Sequence, residues 1–159
     1  MDYDERINKK SVRIRTWFGV KAVVEVGNGF WHKAGFGRFL IPHPPLVNWL
    51  LRLGLPDEEK NRLGLTHEFG HFQTLPFYLI YTAVLIGLFF SKGYENIAGL
   101  IFVFISTHAF WEILTELYTI SCLGPLYKLY YRGISFLPRI IFWVIVTAFV
   151  LSGWSIVLV

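Results

Sequence analysis

The sequence predicts a mainly α-helical membrane protein, with three transmembrane helices and a small cytoplasmic β/α segment at the N-terminus. Three observations lead there. The 159 residues are 54% hydrophobic and 18% aromatic but only 16% charged. An ordinary soluble domain carries about 25% charged residues. Three apolar runs follow residue 76, and a bilayer crossing takes ~20 such residues. The charge is also one-sided: eleven of the 15 Lys and Arg precede residue 63, so the net +4 reads as membrane orientation rather than as a nucleic-acid surface.

Residues 1–56 form the expected cytoplasmic segment. "MDYDERINKK" is charged and no apolar run follows it directly, so no cleavable signal peptide is expected. In "SVRIRTWF", Val12 and Ile14 alternate with Arg13 and Arg15, and "KAVVEV" is β-branched and stops at the turn signal "GNG". That alternation predicts two or three short strands over residues 11–31. "PPLVNWLLRLG" predicts a short amphipathic helix begun by Pro45 and ended by Gly54, with Trp49, Leu50 and Leu53 on the membrane or the bundle. His32 and His43 lie in Gly- and Pro-rich stretches and are expected at the surface.

Residues 57–159 form the expected three-helix membrane domain. Asp57, Glu58 and Glu59 suit the positive end of a helix dipole and open the first helix. Its apolar part, Phe77 to Phe90, reaches spanning length only by taking in residues upstream. Pro76 should kink it. The second span is Ile97 to Cys122 and the third is Leu137 to Val159. The first connection carries Lys92 offset by Glu95, whereas the second carries Lys128, Arg132 and Arg139. The N-terminal region and the 123–138 connection therefore share the cytoplasmic side, and the C-terminus lies outside. Tyr127, Tyr130 and Tyr131 fit an interfacial aromatic belt. Cys122 is the single cysteine, which excludes an intrachain disulfide.

"THEFGHFQTLP" places a His-Glu-x-x-His pattern at the foot of the first span. On a helix, His67 and His71 are one turn apart and face the same way, so both imidazoles can bind one zinc ion. Glu68 can then act as general base toward a water whose pKa the metal lowers. The competing reading is a pair of interfacial histidines capping a membrane helix. Gly70 can admit substrate or a packed neighbour.

A catalytic zinc site needs a third protein ligand. His108, Glu112, Thr115, Glu116 and Thr119 recur as one polar stripe on the second span. Carboxylates are costly there and normally face a bundle interior; a structural hydrogen-bond network is the alternative. In an antiparallel hairpin turning near Lys92–Gly93, both Glu112 and Glu116 come level with the motif. Either can be the metal ligand while the other supports a ligand histidine. His108 falls about a turn deeper. It can donate to a developing oxyanion or be a satisfied bundle histidine.

"HEFGH" with the downstream "EILTE" resembles the gluzincin group of zinc metallopeptidases, which carry HExxH on one helix and Glu-x-x-x-Asp/Glu on another. The resemblance implies one zinc ion held by His67, His71 and Glu112, with Glu68 as catalytic base and Glu116 orienting a ligand histidine. It covers Leu65–Glu116 through a handful of positions. The membrane setting is similar to that of CAAX prenyl proteases and site-2 proteases. The chain is far smaller than the former and lacks the Asp-Gly motif of the latter, so the broad group is the better match. The group also pairs substrate with an edge strand near the zinc, which the Val12–Val26 segment could supply; a structural sheet capping the cytoplasmic face is the alternative.

The expected function is an integral-membrane zinc endopeptidase that cleaves a peptide or membrane-protein segment near the cytoplasmic interface. Two other classes compete. "EFGH" also fits the Glu-x-x-His motif of di-iron carboxylate proteins, although only one such motif is present. A non-catalytic membrane scaffold with a polar interhelical network is the other. A chain this small also points to an oligomer or a partner subunit for enclosing substrate.

Overall fold

The structure is a computed structural model that describes residues 11–25, 32–36, 39–43, 55–93, 96–128 and 136–158. Four strands precede three long helices: β1 (Ser11–Arg15), β2 (Lys21–Glu25), β3 (His32–Phe36), β4 (Phe39–His43), α1 (Asp57–Ser91), α2 (Ile97–Leu123) and α3 (Phe136–Leu158). All three helices are long and apolar enough to cross a membrane. At about 1.5 Å per residue they measure about 52, 40 and 34 Å, against a hydrocarbon core of ~30 Å. Their outer surfaces expose Leu79, Ile80, Val84, Ile101, Phe104, Val144 and Leu151, a surface suited to hydrocarbon rather than water.

The strands form one antiparallel sheet in the order β1-β2-β3-β4. Val12 and Ile14 pair with Val24 and Ala22. The same side of the sheet buries Ala22 and Val24 against Phe69 and Phe72 of α1, with Leu65 and Tyr118 alongside. Arg13, Arg15 and Lys21 are exposed on the opposite face. The period of two read from "VRIR" thus gives the packing as well as the strand. β3 and β4 lie beyond the predicted 11–31 range. Gly35 in "HKAGF" and Pro42 in "FLIPH" break the alternation that would have marked them. Pro42 is tolerated because β4 is an edge strand. His32 and His43 are register partners, but their side chains lie outside the described residues. So do the "GNG" turn, the expected helix over 44–54, Tyr130 and Tyr131.

Antiparallel neighbours in sequence make the bundle, with α2 between α1 and α3. Leu85 and Phe89 of α1 meet Val103 of α2 and Val157 of α3 at one end. Ala109 packs on Phe142 and Val146. Gly93, at φ 71, closes the first hairpin, and Asn96 caps α2 by accepting a hydrogen bond from the Ala98 N–H at 2.9 Å. Gly124, at φ 48, ends α2. The chain then returns so that Tyr127 packs with Leu55, Leu63 and Leu123. Tyr127 is therefore buried within the protein rather than part of an interfacial belt.

α1 runs on as helix through Pro76. Proline cannot donate to the Phe72 carbonyl. Just upstream, side chains donate to two other carbonyls of this stretch: the Thr74 hydroxyl to Gly70 O at 2.7 Å and the Trp111 indole N–H to His71 O at 3.2 Å.

Gly70 sets the approach of α1 to α2. A Cβ there would lie 2.8 Å from Thr115 Cγ2 and 3.0 Å from the Thr115 carbonyl oxygen. The glycine thus accommodates a packed neighbour. Gly70→Ala gains ~1 kcal/mol of helix propensity and meets an overpacking cost of ~1–3 kcal/mol. The carbonyl belongs to the backbone and cannot swing aside, so the cost prevails. A lower thermal midpoint of Gly70→Ala in detergent is the expected result; an unchanged or raised midpoint would show that the helices part freely.

Candidate metal centre

The site forms where α1 and α2 face each other around the tight Gly70–Thr115 contact. The helical period puts His67 and His71 on one face of α1. The matching face of α2 carries Glu112, Thr115 and Glu116. His67, Glu112 and Glu116 are buried, and so is Glu68. The two imidazole rings are 5.0 Å apart between centroids and nearly perpendicular.

Each ring directs Nε2 toward Glu112. His67 Nε2 lies 3.1 Å from Glu112 Oε2, and His71 Nε2 lies 3.5 Å from Glu112 Oε1. The other nitrogen of each ring has its own partner on α2. His67 Nδ1 is 3.0 Å from Glu116 Oε2, and His71 Nδ1 is 3.1 Å from Thr115 Oγ1. An ionised carboxylate can only accept, so Nδ1 donates to Glu116 and, with no metal bound, Nε2 donates to Glu112. A metal at Nε2 would replace that second proton while Glu116 kept the first on Nδ1. The second oxygen of Glu116 accepts a 2.6 Å hydrogen bond from the Tyr127 hydroxyl.

His67, His71 and Glu112 form a group that could hold a metal ion, with one ligand atom from each lying within 4.8 Å of the others. Tetrahedral ligands at ~2.1 Å from zinc are spaced by about 3.4 Å. The 3.1 and 3.5 Å separations here run to different oxygens of Glu112, Oε2 for His67 and Oε1 for His71, so the carboxylate spans both rings. Two imidazoles and a carboxylate are also a common donor set for a catalytic zinc, and Glu116 and Thr115 fix the ring orientations as outer partners do.

Glu68 follows His67 on α1 and sits about 100° round the helix from it. Glu116 touches His67 and Tyr127 rather than joining the converging trio. His108 stands at the rim: its Nε2 is 3.4 Å from Glu112 Oε1, but its side chain is 65% exposed. Trp111 completes the wall. Its ring lies edge-on to His71 at 4.7 Å and stacks on Tyr78 at 4.1 Å, while its indole N–H reaches His71 O and Thr74 Oγ1.

The polar stripe locates Glu112, Thr115 and Glu116, although it does not give Thr115 its partner His71. Two further partners carry no such signal. Tyr127 depends on the chain's return after Gly124. Trp111 looked like one more apolar residue of a span. Compared with protein-family models, curated proteins and solved structures, the chain matches none.

Proposed function

We propose that the chain is an integral-membrane zinc metallopeptidase of gluzincin type, hydrolysing a peptide bond near the cytoplasmic interface. The observation that carries it is the convergence of His67 and His71 with Glu112, with Glu116 on the far nitrogen of His67. A metal ion held there supplies a Lewis acid that polarises a carbonyl and makes water acidic near neutral pH. The protein's own residues then divide the work. Glu68 accepts the proton from the attacking water and delivers it to the leaving amine. Glu116 and Thr115 keep both rings turned toward the metal. His108, exposed at the rim, would donate to the oxygen of the scissile carbonyl as charge develops on it.

Depth supports the interfacial location. His71 precedes the end of α1 by 20 residues and Glu112 follows the start of α2 by 15. Those spans correspond to about 30 and 22 Å of helix, so the site falls near one edge of a ~30 Å hydrocarbon core. The excess of Lys and Arg before residue 63 supports the cytoplasm as the side of that edge. The edge strand β1 packs Val12 and Ile14 on the cluster that holds Phe69 and Phe72 of α1, and an extended substrate could pair with its free edge.

Metal analysis of the purified full chain separates this proposal from its rivals. Zinc near one per chain is expected. Iron near two per chain would favour a di-iron oxidoreductase, and no bound metal would leave a structural bundle. A second check concerns Tyr127, whose hydroxyl donates to a buried carboxylate. Tyr127→Phe should weaken zinc retention about tenfold against a competing chelator, within the 10–100-fold range of outer-partner losses. Unchanged retention would confine Tyr127 to packing.

A further inference from the structure

We infer that the β1–β2 hairpin is a membrane-surface contact, its aromatic tip seated in the interface of the bilayer the helices cross and its Arg15 and Lys21 binding the phosphates of anionic lipid headgroups. The inference goes beyond the hydrolytic proposal and depends on no metal.

The tip is rigid and apolar. Thr16 N donates to Val20 O at 2.8 Å, Val20 N donates to Thr16 Oγ1 at 2.9 Å, and Gly19 takes φ 90 to close the turn. Trp17 is 66% exposed and Val20 39% exposed. The polar atoms of Trp17 are satisfied within the protein: its backbone N–H donates to Gln73 Oε1 at 3.1 Å and its indole N–H to Gln73 O at 2.8 Å. The exposed part of Trp17 is therefore its hydrocarbon ring. Phe18 lies against it at 5.3 Å and the exposed Phe77 of α1 at 6.5 Å between centroids.

Those two bonds to Gln73 fix the depth of the tip. Gln73 precedes the end of α1 by 18 residues, about 27 Å of helix. Trp17 is thus held at the edge of a ~30 Å hydrocarbon core, the level at which tryptophan concentrates in membrane proteins.

The cations stand where headgroups begin. Arg15 and Lys21 are register partners directly behind the turn, and Arg13 follows on the same exposed face. At ~3.3 Å per residue, Arg13 stands about 7 Å farther from the tip. Glu25 pairs with Ser11 at the far end of the hairpin. The order along the hairpin is aromatic ring, two cations, a third cation, then the acid. Lipid phosphate fits this order better than free phosphate, because the exposed rings next to the cations need hydrocarbon.

The test uses the full chain in vesicles, with Cys122→Ser and a fluorescent label at Val20→Cys. A second protein carries the label at Glu25→Cys. The expected result is that lipids bearing a shallow quencher quench the label at position 20 and spare the one at position 25. Phosphatidylglycerol should strengthen this quenching. Arg15→Gln with Lys21→Gln should lower the ratio of inserted to water-exposed tip by about fivefold per cation. High salt should weaken insertion in the protein that retains both cations. A label at position 20 that reports water in every vesicle would overturn the inference. So would insertion indifferent to phosphatidylglycerol, salt and both substitutions, or an equal response to inorganic phosphate in neutral vesicles.

Discussion

Glu68→Gln is expected to keep its metal and to lose hydrolysis by about 10²–10⁴-fold, the usual contribution of a general base. The amide has nearly the shape of the carboxylate, so the buried position beside His67 stays filled. It cannot accept a proton. The group that could hold the ion is His67, His71 and Glu112, without Glu68, so the metal should be retained. The measurement pairs metal content with cleavage of a quenched-fluorescent peptide library by protein in vesicles. Undiminished cleavage would remove Glu68 from proton transfer. Loss of the metal would make it a ligand instead.

Glu112→Ala and Glu116→Ala should part company. Glu112 faces Nε2 of both motif histidines, so its removal takes away a ligand and zinc should be lost, as in His67→Ala or His71→Ala. Glu116 meets the far nitrogen of His67, Nδ1, at 3.0 Å. Its removal should weaken zinc retention about 10–100-fold without abolishing it. Breaking a buried charged pair also costs about 3–5 kcal/mol, and Glu116 additionally serves Tyr127. Helicity of each variant should therefore be recorded with its zinc content, and Glu116→Gln provides a version of the same size. Equal retention in Glu112→Ala and Glu116→Ala would contradict the separate roles.

Much of this arrangement is legible in the sequence because it rests on periodicity. The three helices follow from apolar length, and their observed bounds fall within a few residues of the expected ones, with α1 opening at Asp57 as its acidic first turn predicts. The meeting of His67 and His71 with Glu112 and Glu116 follows from two facts: a helix repeats every 3.6 residues, and an antiparallel hairpin pairs residues at a constant sum. What the sequence concealed depends on backbone reversals and on chemistry that looks apolar. β3 and β4 are punctuated by Gly35 and Pro42. Tyr127 is brought to Glu116 only because Gly124 adopts a positive φ. Trp17 reads as a strand aromatic until its two hydrogen bonds to Gln73 appear. Periodicity gives no information about contacts formed across a turn.

Anomalous scattering at the zinc absorption edge, from crystals of the full chain, tests the central claim most directly. The expected result is a single peak bonded to His67 Nε2, His71 Nε2 and a Glu112 oxygen at ~2.0–2.2 Å, with Glu116 on His67 Nδ1 behind it. No peak between those side chains, or a peak whose ligands omit Glu112, would contradict it.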